Sequence, residues 1–222
     1  MRNVQHHPKT DTLADYAAGR LDEARSVVVA THIERCQECR TAVRDLEAVA
    51  GLCLEAIEPV PMAANSMADF WAKAGDQELV LPGLLTARPA NDVEMETCPP
   101  LAAFLPTSID ELPWKQVAPG LSQYVLEAEG YREGVLRLLK IAPGTKVSTH
   151  THGEGELTLI LRGAYRDEVG EFYPGDLADL DDGVTHAPVA IGDEDCICLI
   201  ATNAPLVFKD LVGKVMQPFV KL

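Results

Sequence analysis

The chain has no hydrophobic run long enough to cross a bilayer, no apolar stretch behind a basic head at its start, and few basic residues. The first two absences argue against a transmembrane segment and a secretory leader, since a helical span needs about 20 consecutive apolar residues. The expected location is therefore the cytoplasm, where Cys36, Cys39, Cys53, Cys98, Cys196 and Cys198 are reduced. Clustered cysteines in that setting read as metal ligands or redox groups rather than disulfides. Lys and Arg number 19 against 34 Asp and Glu, a net charge of −15, and both residues 1–60 and the remainder are acidic. Such a surface repels a phosphate backbone, which argues against direct nucleic-acid binding and favours a basic protein partner. Internal repeats and low-complexity tracts are also lacking. What remains is a 222-residue chain, 47% hydrophobic, of ordinary globular composition and long enough for two modest domains.

Residues 10 to about 57 have helical periodicity. Leu13, Tyr16 and Ala17 share a face before Gly19, a second helix is expected from Asp22 through SVVVATHIER, and a third runs from Gln37 to about Ala56. In the third, Val43, Leu46, Val49 and Ala50 form an apolar stripe. Residues 58–64 and 76–100 are rich in Pro, Gly and turn formers, with ARPAND and TCPP reading as loop or linker. Between them Met67, Phe70, Trp71 and Ala74 fall at helical spacing behind Asn65 or Ser66 as a cap, a short amphipathic helix that either covers the helical unit's own core or meets a partner. Beyond residue 113, QYVLEA, VLRLLKI, ELTLIL, DCICLIA and PLVF are short strand-like runs broken by APG, YPGD and DDG, which predicts a barrel or sandwich.

Two constellations carry chemistry. His32, Cys36 and Cys39 are spaced i, i+4, i+7, so three ligands converge where the second helix turns into the third. Zinc takes four ligands, and His6 or His7, just before the first helix, can supply the last, with His7 favoured. The competing reading is a Cys-x-x-Cys redox pair, but no βαβ pattern surrounds it. Further on, Gly144, His150, His152, Glu156 and Gly163 spell G-x5-H-x-H-x3-E-x6-G. His150 and His152, two apart on a strand, point to one face, and Glu156 opens the next strand, an oxygen–nitrogen set that suits zinc, iron, manganese or nickel. Cys196 and Cys198 also share a strand face, either as pocket lining or as small core residues.

The N-terminal motif resembles the zinc-binding anti-sigma domain. LADYAAGRLDEARSVVVATHIERCQECR is similar to the ChrR subgroup, whose members inhibit extracytoplasmic-function sigma factors. The resemblance implies His7, His32, Cys36 and Cys39 as the zinc ligands. The second string resembles the first cupin motif. The second cupin motif is less faithful: Tyr173-Pro174-Gly175-Asp176 keeps the turn and His186 stands as a fourth ligand, without the usual following asparagine. Left without a metal, the four inward polar groups His150, His152, Glu156 and His186 would each cost about 1–3 kcal/mol.

The expected organisation is a small all-α zinc-binding helical domain (residues 1–75), a linker (76–100) and an all-β cupin barrel of the jelly-roll type (101–222) holding zinc or another divalent transition metal. The expected function is inhibition of a sigma factor by the helical domain, with the partner face at Met67, Phe70 and Trp71, and release in response to oxidative stress, singlet oxygen in particular, through the barrel. Two rivals remain open at the sequence level. One is a dioxygenase-like cupin metalloenzyme carrying a helical interaction module, and the other is a zinc-stabilised scaffold without a sigma partner. The fusion of the barrel to the zinc helical domain, an arrangement that resembles the ChrR subgroup, implies a non-enzymatic regulator.

Overall fold

A computed structural model describes residues 3–74, 96, 98–126, 135–151, 155–180, 185–202 and 207–208, with the backbone alone at 135, 150–151 and 207–208. The first helix, α1, spans Thr10–Ala17, and the second, α2, spans Glu23–Arg35, capped by Asp22, whose carboxylate accepts from the Arg25 N–H. Cys36 ends α2 and also caps α3 (Gln37–Glu55), its Sγ accepting from the Cys39 N–H. This corner follows the helical periodicity closely. The apolar stripe of α3, however, outlasts the core: Val43 is buried and Leu46 partly so, but Val49 is 59% exposed. Helix α4 (Ser66–Ala74) forms where its spacing predicts, and none of its residues is buried.

TCPP departs from expectation. Pro99 opens a short helix, α5 (Pro99–Ala102), and Cys98 and Leu101 are fully buried where α5 packs on α2. The C-terminal end of the expected linker therefore belongs to the core. A single 3-10 turn at Ile109–Glu111 then leads into the strands.

The strands are β1 (Lys115–Ala118), β2 (Leu121–Leu126), β3 (Val135–Ile141), β4 (His150–Thr151), β5 (Glu156–Arg162), β6 (Ala164–Arg166), β7 (Glu171–Phe172), β8 (Leu177–Leu180), β9 (Val189–Ile191), β10 (Cys196–Thr202) and β11 (Val207–Phe208). They form a six-stranded sheet in the order β1-β2-β3-β10-β5-β8, a three-stranded sheet β7-β6-β9 and the pair β11-β4, with antiparallel neighbours throughout. The sequence had not marked β1, whose residues are mostly exposed or half-buried. The hairpin from β5 to β6 turns at Gly163, where φ is +65° and a Cβ would stand 2.6 Å from the Asp195 carbonyl oxygen, so only glycine fits.

Strands β5 and β10 read as continuous apolar runs because both faces of the large sheet are covered. Ile160, Cys196, Cys198 and Ile200 point inward and pack with Tyr165, Phe172 and Ala190 of the small sheet. Leu157, Leu159, Ile197 and Leu199 point outward into a cluster that also holds Leu13, Val28 and Val43 of the helices. Helix α2 lies directly on β3, β5 and β10. Helical unit and barrel thus share one hydrophobic core.

Candidate metal centres and partner face

The N-terminal segment before α1 lies along the barrel and delivers His7 to the α2–α3 corner. His7 Nδ1 stands 3.3 Å from Cys36 Sγ and 3.4 Å from Cys39 Sγ, and His32 Nε2 stands 3.3 Å from Cys39 Sγ. The four ligand atoms all lie within 4.8 Å of one another. A tetrahedron with metal–ligand bonds of about 2.0–2.3 Å has edges of about 3.3–3.8 Å, so the spacing and the N2S2 donor set fit zinc. His32, Cys36 and Cys39 are almost wholly buried, while His7 keeps partial exposure with Nε2 turned to the Glu38 carboxylate at 3.7 Å. His32 is oriented through its second nitrogen, as metal-binding imidazoles usually are. His32 Nδ1–H donates to the Gly175 carbonyl at 2.9 Å, leaving the Nε2 lone pair toward sulfur.

The two thiols are unequal. A hydrogen bond from Cys39 outweighs burial and holds the Cys36 thiol well below its ordinary range, while the same bond and burial push Cys39 up. One sulfur of the pair is therefore a ready thiolate. His6, the other candidate, turns away to lay its ring against Phe172 with centroids 4.2 Å apart.

Within the barrel, Glu156 and His186 line one cavity of ≈ 30 Å³ together with Thr158, Tyr165 and Cys198. Thr158 donates to Glu156 Oε1 at 2.7 Å. His186 Nδ1–H donates to Asp167 Oδ2 at 2.9 Å, which places the lone pair on Nε2. Burial alone would raise the Asp167 carboxyl, but hydrogen bonds from His186 and from the Val169 and Gly170 N–H groups hold it below its ordinary range. His150 lies on β4 opposite Phe208 of β11, and His152 lies outside the described residues. Cys196 and Cys198 are fully buried with their sulfurs 3.6 Å apart, and Cys198 lines the cavity. Its hydrogen bond with Cys196, then burial, pushes its thiol up, so it stays protonated.

Sequence reading missed Thr158, Asp167 and Tyr165. Thr158 was legible in principle, two residues from Glu156 on the same strand face. Asp167 was not, because its link to His186 joins two loops without a shared period.

A third feature is apolar surface on the helical unit. Leu52, Leu54 and Ile57 at the end of α3 and Met67, Phe70 and Trp71 on α4 are all more than half exposed. Phe70 and Trp71 pack edge to face at 5.1 Å, with no buried neighbour on their own helix. Of the two roles open to this stripe, covering the helical unit's core is not the one its burial fits.

Residues 104–205 match the ChrR Cupin-like domain. The whole chain is 38% identical over 219 residues to the anti-sigma-E factor ChrR of Cereibacter sphaeroides, covering 99% of both sequences. It is also similar to a chain of the crystal structure of Rhodobacter sphaeroides SigE in complex with the anti-sigma ChrR, with 36% identity, a TM-score of 0.75, and coverage of 90% of this chain and 99% of that one. Among the described residues no helix is long and apolar enough to cross a membrane. A likeness that runs through helices, metal corner and barrel together is more than a shared fold, and the chain belongs to the ChrR family of anti-sigma factors.

Proposed function

We propose that this chain binds an extracytoplasmic-function sigma factor in the cytoplasm and holds it inactive. The carrying observation is the full-length likeness to an anti-sigma factor, together with an apolar face that the chain itself leaves uncovered. Zinc held by His7, His32, Cys36 and Cys39 would tie the N-terminal segment, α2 and α3 into one body, a structural role in which the ion cross-links a unit with little core of its own. Met67, Phe70 and Trp71 then form the partner face. Exposed apolar area on a chain of net charge −15 suits a partner surface that is apolar in part and otherwise basic.

The barrel is the responsive element, with His150, His152, Glu156 and His186 holding zinc or another divalent transition metal, and the signal an oxidant such as singlet oxygen. The full-length likeness to an anti-sigma factor favours this regulatory role over a cupin enzyme.

The test is co-purification of the full chain with an extracytoplasmic-function sigma factor from the same source, read alongside transcription by the sigma-dependent polymerase. A one-to-one complex that suppresses transcription is expected. Trp71→Glu should abolish the complex while zinc content stays at wild type, and a chain that neither binds nor inhibits the sigma factor would remove the proposal.

A further inference from the structure

The zinc corner is not supported by the helices alone. Its immediate surroundings come from one short piece of the barrel, the turn from Phe172 to Leu177 between β7 and β8. Asp176 Oδ1 accepts from the Gln5 N–H at 2.7 Å and the His6 N–H at 3.1 Å, while its Oδ2 accepts from the Tyr173 N–H at 2.9 Å. The same carboxylate therefore shapes the barrel turn and grips the two residues that precede His7. Leu177 adds a strand-like bond, its N–H donating to the His6 carbonyl at 3.0 Å. On the other side of the corner, the Gly175 carbonyl takes the proton of His32 Nδ1. Gly175 itself has φ +98°, and a Cβ there would stand 2.8 Å from Arg35 Cδ and 3.0 Å from Val4 Cγ2, so the turn reaches the helices only because this residue is glycine.

A packed line of rings joins the same place to the barrel cavity. His6 lies 4.2 Å from Phe172, Phe172 stacks on Tyr165 at 4.8 Å, and Tyr165 lines the cavity with Glu156 and His186. The Tyr165 hydroxyl is buried with no hydrogen-bond partner among the described residues, so the ring is held by packing alone at that end.

We infer that the Phe172–Leu177 turn is an outer support of the zinc centre, with Asp176 the positioning residue for His7 and the Gly175 carbonyl that for His32, so that the barrel sets how firmly the helical unit keeps its metal. This rests on the zinc reading of the corner and adds to it the barrel's part. Two of the four ligands take their orientation from this turn, one through its ring nitrogen and one through the backbone that carries it. Outer partners of this kind typically change metal affinity about 10–100-fold when removed.

The experiment uses the full chain loaded with cobalt in place of zinc. Thiolate-to-cobalt absorption reports on the Cys36/Cys39 centre and not on the barrel set, which has no thiolate ligand. Loss of that band into excess chelator is then timed for wild type, Asp176→Ala, Asp176→Asn and Asp179→Ala, with folding checked by circular dichroism. Asp176→Ala should release metal about 10–100-fold faster with an altered visible band. Asp176→Asn should fall between, because its amide oxygen still accepts from Gln5 and His6. Asp179→Ala should stay near wild type, since Asp179 binds Lys9 and Thr12 beyond the ligand. If Asp176→Ala does not fold, His6→Ala, which removes the ring contact with Phe172, should still speed release. Variants that release metal at the wild-type rate, or an Asp179→Ala effect equal to that of Asp176→Ala, overturn the inference. A wild-type chain with no thiolate–cobalt band overturns the zinc reading beneath it.

Discussion

Val28 offers a direct measure of how far helical unit and barrel fold as one body. It is fully buried on α2, on the stripe shared with Arg25, His32 and Arg35, three residues that reach Gly155 or Gly175 of the barrel. Val28→Ala removes two buried carbons, about 1.6 kcal/mol of transfer free energy at roughly 0.8 kcal/mol each. Incomplete collapse of the resulting cavity raises the cost to about 2–3 kcal/mol. A chain of this size loses about 2–4 °C in Tm per kcal/mol, so the midpoint should fall by roughly 4–12 °C. Because the cluster around Val28 includes Leu136, Leu159 and Leu199 of the large sheet, calorimetry should give one transition that moves as a whole, followed equally by far-ultraviolet dichroism of the helices and near-ultraviolet dichroism of the barrel. Zinc content should not change. Two separate transitions with only the helical one displaced, or a shift worth less than about 0.5 kcal/mol, the range of an ordinary surface substitution, would refute a shared core.

Cys39→Ser should cost the helical unit its zinc and much of its dichroism at 222 nm, measured with elemental analysis of the purified chain. Trp71→Glu, at a position 58% exposed, should change stability by no more than about 0.5 kcal/mol in chemical denaturation. Gly163→Ala forces a β-carbon against the Asp195 carbonyl at a positive φ and should destabilise the barrel by at least about 1–3 kcal/mol in the same assay. A fragment of residues 1–74 should fold with zinc and unfold on chelation, because the ion is worth about 10–16 kcal/mol to a structural site. The barrel face it loses amounts to a few side chains at about 1.5–3 kcal/mol each. A fragment that stays helical without metal would contradict that balance.

Local signals carried most of the elements. Periods of 3.6 located α1 to α4 within a residue or two, and the spacing of His32, Cys36 and Cys39 located the corner, because helix geometry alone brings such residues together. The runs that form β2, β3, β5 and β10 were equally visible, although alternation within β5 and β10 was not, since burial on both faces erases it, and the short strands β1, β6, β7, β8 and β9 carried no such signal. Long-range contacts were hidden. TCPP looks like linker from its prolines, yet Pro at the first helical position is also a helix start, and only the hydrophobic surface of α2 decides between them.

His32 shows why the division into two domains was harder to read than either domain. Its spacing to Cys36 and Cys39 declares one nitrogen a ligand, and nothing local says where the other points. That partner is a carbonyl 143 residues away, on a turn whose own motif reads only as part of the second cupin motif. One imidazole therefore belongs to both halves: the nitrogen toward sulfur serves the helical corner, and the nitrogen toward Gly175 serves the barrel. A histidine can hold both only while the turn stays in place, since its proton must lie on Nδ1 for the lone pair to face the metal. Any change that moves the Gly175 carbonyl acts on the ligand without touching the thiolates. Barrel and helical unit are therefore joined through shared side chains, His32 and Asp176 among them, that pack in a common core.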